Sequence, residues 1–356
     1  MKVSLVTRTA GFAVVAALGL AACGSSSSGG SGGGGGTTTL TPQGSTFQQT
    51  IEQQWASQYQ QTNSNVQVTY TGTGSSAGIA QFTAGKIPFA GSDVTMDSTE
   101  QAAANSACGS TALTIPITSG GVAIIFNLQG VSNLQLSADT LAGIFMGKIT
   151  KWNDPKIAAD NPSITNLPDT AITTFHRSDG SGTTSVLSSF LDATAKSVWT
   201  LGADKELSWP SGQGAEGSSG VVAGVKSTDG GITYAEITYA KQNSLPTAAI
   251  KGASGGYESI SSATVAKSIQ TGFSVTGTAP DLAGTLDFAK MTGYPISTVS
   301  YVLVCSKYSD AKVGAAVKEF LTYAAGDGQS QSDALGFAPL PSSLDQKALT
   351  SIATIS

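Results

Sequence analysis

From Phe47 onward, apolar residues recur every four positions, at Phe47, Ile51, Trp55 and Tyr59, with glutamine at many of the intervening places. This is the stripe of an amphipathic helix. Residues 66–70 then alternate like a half-buried strand, followed by a glycine-rich turn, a short helix around 79–84 and a strand-like turn at 87–94. The same reading predicts strands at 113–117, 122–127, 172–176, 232–236 and 298–305, and helices near 138–146, 221–226, 263–270 and 312–324. Strands that alternate with helices predict an α/β protein with a mostly parallel sheet. In such sheets ligands sit at the carboxyl ends of strands, against helix N-termini, often in a crevice between two domains.

Three segments share a strand, turn, helix order with glycine and hydroxyl residues just before the helix: QGSTF (43–47), TGTGSSAG (71–78) and HRSDGSGTTS (176–185). The third is the richest in chemistry. Arg177 can fork two N–H groups onto an anion, Ser181, Thr183 and Thr184 add neutral donors, and Gly180 and Gly182 let the backbone come close. Val186, Leu187, Phe190 and Leu191 follow at helical spacing, so the free amides of that loop would stand at the positive end of a helix. Taken alone, the decapeptide fits a Ser/Gly turn capping a surface helix equally well. Three separated copies favour helix starts converging on one anion.

The first 22 residues carry Lys2 and Arg8 and then an uncharged stretch from 9 to 22, too short to cross a bilayer core of roughly 30 Å as a helix. This reads as a secretory signal ending in LAAC (20–23), which resembles the bacterial lipobox, in which the cysteine becomes the lipidated first residue. Residues 24–39 are all Gly, Ser and Thr, a flexible tether with a root-mean-square reach of about 20 to 24 Å. Without the signal the chain holds 16 basic and 23 acidic groups, a net charge of −7, which argues against nucleic acid as a partner. The folded part, from about residue 40, is long enough for two domains. Beyond Cys23 the only cysteines are Cys108 and Cys305. In an oxidising compartment a disulfide between them and two buried thiols are both consistent with the sequence.

Other chemistries find little support. Gly72, Gly74 and Gly78 are spaced one residue too long for a dinucleotide fingerprint, and Gly85-Lys86 lacks the preceding glycine and following hydroxyl of a phosphate loop. The single histidine, His176, adjoins Arg177, so neither an activated nucleophile nor a metal centre is expected, and no cofactor.

With these residues in hand, the chain resembles the phosphate-binding lipoproteins of bacterial ABC-type phosphate uptake systems, the PstS family of periplasmic binding proteins. The similarity is carried by GSTF (44–47), TGTGSSAGI (71–79), FAGSDV (89–94), LAGIFMGKITKWNDP (141–155), RSDGSGTTS (177–185), GAEGSSGVVAGVKSTDGGITYAE (214–236) and LGFAPLP (335–341), in that order. One departure is Pro42, where the family often has a glycine.

The resemblance implies a type II periplasmic binding protein: two α/β lobes, each a mixed sheet flanked by helices, joined by a two-segment hinge. The lobes would be 40–116 with 252–356 and 117–251, with crossings near 115–119 and 251–256. Implied phosphate ligands are Ser45, Thr46, the Phe47 amide, Ser75 and Asp93 from the first lobe, and Arg177, Ser181, Gly182 and Thr183 from the second, with Asp179 holding Arg177. Asp93 can accept a hydrogen bond only from an oxyanion that still carries a proton. Phosphate near neutral pH does and sulfate does not. The implied protein is a monomer, lipid-anchored on the outer face of the cell membrane, that passes phosphate to the transmembrane subunits of a permease. A secreted phosphatase, or a same-fold receptor for another oxyanion or for phosphate sensing, are the alternatives.

Overall fold

The computed structural model describes residues 37–356, which form one compact unit, Thr37–Ser356. The signal segment, Cys23 and the tether through residue 36 lie outside the described residues.

An eight-stranded sheet organises the molecule. Its spatial order is Thr71–Gly72, Gln43–Gly44, Phe89–Ser92, Ser297–Cys305, Ala112–Asn127, Gly231–Glu236, Thr173–Arg177 and Gln213–Ala215. The three strands at each end run parallel to one another, whereas the joins through Ser297–Cys305 and Ala112–Asn127 are antiparallel. The sheet is therefore mixed, and the expectation of a mostly parallel one needs correcting. The parallel character is confined to the two ends, where short strands alternate with helices.

The sequence reads as two strands, 113–117 and 122–127, where the structure has one of 16 residues, Ala112–Asn127. Gly120 and Gly121 hide the continuity because they leave a gap in the apolar run. Space, rather than a turn, demands them. A Cβ on Gly120 would lie 2.7 Å from Phe47 Cζ, and one on Gly121 would lie 2.6 Å from Ile260 Cδ1. The first part of this strand pairs with Ser297–Cys305 and the last six residues with Gly231–Glu236, so one strand belongs to both halves of the sheet.

Helices cover the faces. Gln49–Thr62 buries Ile51, Trp55 and Tyr59, and its Trp55 Nε1 donates to Gly328 O at 2.9 Å. Gly182–Thr194 buries Val186, Leu187, Phe190 and Leu191. Each such fully buried apolar side chain contributes roughly 1.5–3 kcal/mol. Ser98–Cys108 ends at Cys108, which is disulfide-bonded to Cys305 at the end of the central strand, with Cα atoms 5.5 Å apart.

The topology aims loops at a common point. On one side the chain leaves Gly44 into Ser45–Phe47, Gly72 into the helix Ser75–Thr83, and Ser92 into Asp93. On the other it leaves Arg177 into the helix Gly182–Thr194, Ala215 into Gly217–Lys226, and Glu236 into Ile237–Asn243. These are the carboxyl ends of the parallel strands, where a doubly wound sheet exposes backbone donors.

Candidate functional site

Ser45, Thr46, Ser75, Asp93, Arg177, Ser181 and Thr183 are all at most 5 % exposed, and the structure brings them into one cluster. Two close backbone approaches make the first loop. Gly44, at φ 148°, lies so near the neighbouring strand that a Cβ would fall 2.1 Å from Gly91 O, and the next amide, Ser45 N, donates to that carbonyl at 2.8 Å. Pro42 fits this path, since its missing N–H is not called on and its carbonyl accepts from Thr71 N at 3.1 Å. The Ser45 hydroxyl is held by the Phe47 amide, which donates to it at 3.0 Å, while the Tyr70 hydroxyl donates to Ser45 O at 2.9 Å.

Asp93 stands at the centre. Ser45 Oγ lies 2.8 Å from its Oδ1 and 2.7 Å from its Oδ2, Ser300 Oγ donates to Oδ1 at 2.5 Å, and Thr183 Oγ1 reaches Oδ2 at 3.4 Å. Its own amide donates to Ser75 Oγ at 3.3 Å. Burial pushes the Asp93 carboxyl above its ordinary value, while the hydroxyls of Ser300 and Ser45 and the charge of Arg177 pull it back down.

Arg177 faces this loop from the last residue of its strand. Its Nε donates to Asp179 Oδ1 at 2.6 Å, its Nη2 forms an ion pair with Asp179 Oδ2, and its Nη1 donates to Thr46 Oγ1 at 3.0 Å. Burial pushes the Asp179 carboxyl up, but the Arg177 guanidinium and the Gly217 amide, 3.0 Å from Oδ1, outweigh it and hold the group below its ordinary value. Ser181 is the N-cap of Gly182–Thr194: its Oγ accepts from Thr184 N at 3.2 Å, and its hydroxyl proton stays available to a ligand. Gly182 admits only a hydrogen, since a Cβ there would lie 2.5 Å from Ser75 Oγ and 2.7 Å from Asp93 Cβ. Ser76 N donates to Gly180 O at 3.2 Å, and Lys205 Nζ lies 2.5 Å from Glu100 Oε1, so the two ends of the sheet meet along the whole cluster.

The arrangement is one guanidinium, a set of hydroxyls and helix-start amides, and a carboxylate. Aligned neutral dipoles with a single cation suit a small oxyanion, and an acceptor among them suits one that carries a proton. The His176 ring instead stacks on Trp209 with centroids 5.0 Å apart, its Nδ1 lies 3.2 Å from Arg177 O, and burial lowers its pKa.

Residues 29–327 match the model of the PBP superfamily domain. Phosphate-binding protein PstS 3 of Mycobacterium tuberculosis is 38% identical over 321 residues, spanning 89% of this chain and 86% of that protein. The chain belongs to the PstS family. Its similarity extends to phosphate-binding protein PstS of Xylella fastidiosa, 33% identical over 311 residues, 85% of this chain and 81% of that protein. Among solved structures, the periplasmic phosphate-binding protein PfluDING, determined with phosphate bound, shares the fold at a TM-score of 0.70 and 22% identity, over 88% of this chain and 93% of that one.

Besides Tyr70, four polar residues that touch the cluster were not anticipated from sequence. Ser218 Oγ lies 2.8 Å from Thr46 Oγ1, and Tyr239 Oη donates to Thr46 O at 2.7 Å. Tyr234 Oη lies 2.7 Å from Thr184 Oγ1 and accepts from Arg177 N at 3.2 Å. The fourth is Ser300. Ser218 had a signal, because GAEGSSGVV repeats the glycine and hydroxyl order of the other helix starts. The tyrosines and Ser300 sit in ordinary strand and helix contexts and carry none.

Proposed function

We propose that this chain binds inorganic phosphate outside the cytoplasmic membrane and delivers it to an ABC-type permease, as a monomer tethered by a lipid on Cys23. One observation carries the reading: Asp93, a buried carboxylate, shares a cluster with the guanidinium of Arg177. A site for a fully deprotonated oxyanion would have no use for that acceptor. A site for phosphate does, because the P–OH of hydrogen phosphate can donate a hydrogen bond to Asp93, whereas sulfate would set an oxygen lone pair against it. Arg177, oriented by Asp179, supplies the full positive charge. Thr46, Ser75, Ser181 and Thr183, with the amide of Gly182, replace the anion's hydration shell, joined by Ser45 and the Phe47 amide as these turn from each other and from Asp93 to the anion.

The two ends of the sheet would be the lobes, 40–116 with 252–356 and 117–251, and hinge closure would bring Gly182 against Ser75 and Asp93 over the anion. The names of the relatives, phosphate-binding proteins, support a carrier rather than an enzyme. Calorimetry on purified protein stripped of bound anion tests this: one phosphate per chain and far weaker sulfate are expected, and equal affinity for both would reject it. Membrane fractionation of Cys23→Ser tests the anchor, which predicts release into the soluble fraction.

A further inference from the structure

Ser300 lies on the central strand Ser297–Cys305, fully buried, and donates to Asp93 Oδ1 at 2.5 Å. Behind it, Gln48 Nε2 lies 2.6 Å from Ser300 Oγ and 2.8 Å from Tyr301 O. A backbone carbonyl only accepts, so the end of the Gln48 amide that faces it is the NH2 group. An NH2 group only donates, so the Ser300 oxygen must accept from it. One hydroxyl proton remains, with two acceptors in reach: Ser92 O at 3.3 Å and the nearer, charged Asp93 Oδ1. The order Gln48 to Ser300 to Asp93 is a relay with one direction. Gln48 is itself fully buried and follows directly on Ser45, Thr46 and Phe47, so the relay is built into the first anion loop.

We propose that Gln48 and Ser300 are a positioning pair that sets which oxyanion the site accepts, by keeping Asp93 an acceptor. The proposal rests on the phosphate reading above. An Asp93 that took up a proton would become a donor and would suit a fully deprotonated anion such as sulfate. Donation into Oδ1 opposes that uptake: burial pushes Asp93 towards its protonated form, and the Ser300 hydrogen bond is the largest influence pulling it back, ahead of Ser45, Arg177 and Thr183. The charged or titratable groups that face Asp93 are Arg177, from its strand, and the phenols of Tyr70 and Tyr239. Both phenols are held above their ordinary values by burial and stay neutral.

Sulfate keeps its charge between about pH 5 and pH 8, so its affinity over that range reports the protein's own titration. Calorimetry would compare wild type, Ser300→Ala, Ser300→Thr, Gln48→Leu and Asp93→Asn, each checked for a native circular dichroism spectrum. For Ser300→Ala, sulfate binding is expected to set in about one pH unit higher than in wild type, with sulfate affinity near pH 6 raised about tenfold. Gln48→Leu shifts in the same direction by less, and Ser300→Thr, which keeps the hydroxyl, restores the wild-type profile. Wild-type sulfate profiles in Ser300→Ala, or in Gln48→Leu if the first variant does not fold, overturn the relay. Failure of the underlying reading looks different: wild type would not bind phosphate, or Asp93→Asn would leave selectivity unchanged.

Discussion

Asp179 grips Arg177 through two nitrogens, Nε at 2.6 Å and Nη2, and so leaves Nη1 as the part of the guanidinium turned to Thr46 on the opposite loop. A bidentate carboxylate fixes the plane of the fork before any ligand arrives, which lowers the ordering cost of binding.

In the proposed site, removing that fork would leave both the anion and Asp179 without a cationic partner. Arg177→Ala is expected to weaken phosphate binding by about 3 kcal/mol, roughly a hundredfold or more. Arg177→Lys should recover only part of this, since an ammonium cannot match Asp179 and the ligand in one plane. Titration calorimetry reads both, and an unchanged Kd in Arg177→Ala would place Arg177 outside the site.

Asp93→Asn turns an acceptor into a group that also donates. Sulfate affinity should rise and phosphate affinity fall, so that their ratio drops by one to two orders of magnitude, roughly the 1–3 kcal/mol of an unmatched buried polar contact. Competition between the two anions for the purified variant measures it.

Gly182→Ala adds one methyl group where none fits, 2.5 Å from Ser75 Oγ. Because that contact joins the two ends of the sheet, the loss should fall on ligand affinity, at least tenfold. The melting temperature of the ligand-free protein should stay within a few degrees of wild type. A large fall in that melting temperature would mean that the contact is needed for folding instead.

Burial holds the carboxyls of Glu52 and Glu236 up to about 8, from an ordinary 4.5, and neither oxygen of Glu52 has a hydrogen-bond partner among the described residues. A raised carboxyl pKa means that the folded chain keeps a proton which the unfolded chain gives up. The associated stability is complete below the unfolded value and is lost as pH rises through the folded one. Ligand-free protein should therefore lose stability between about pH 4.5 and pH 8, on the order of 2–4 kcal/mol per glutamate. Glu52→Gln should flatten that slope and be more stable than wild type above about pH 8. Urea unfolding across the range would show it, and parallel slopes for the two proteins would refute it.

The sequence made the fold legible where apolar residues keep a period and left it obscure where small residues do the packing. Helix Gln49–Thr62 was readable from Phe47, Ile51, Trp55 and Tyr59. Helix Ser98–Cys108 was missed, although Asp97 and Glu100 form a reciprocal capping box, because Ala104 is its one buried residue and no stripe arises. The site divides similarly. Loops that end strands and start helices announce themselves by glycine and hydroxyl residues, so the segments holding Ser45, Ser75 and Arg177 could be singled out in advance, and the family resemblance picked the residues within them. Ser300, Tyr234 and Tyr239 reach the same cluster through tertiary packing alone, and neither spacing nor composition distinguishes them from core residues.

The bond between Cys108 and Cys305 closes a loop 197 residues long, within which lie the strand Thr173–Arg177 and the helices Gly182–Thr194 and Gly217–Lys226. A protease that nicks an exposed turn inside it, such as the one at Gln129 and Gly130, would leave two fragments that stay joined in one covalent molecule until a reductant is added. In an oxidising compartment, where thiol reductants are scarce, such a clipped protein would keep Arg177 and Asp93 on one molecule.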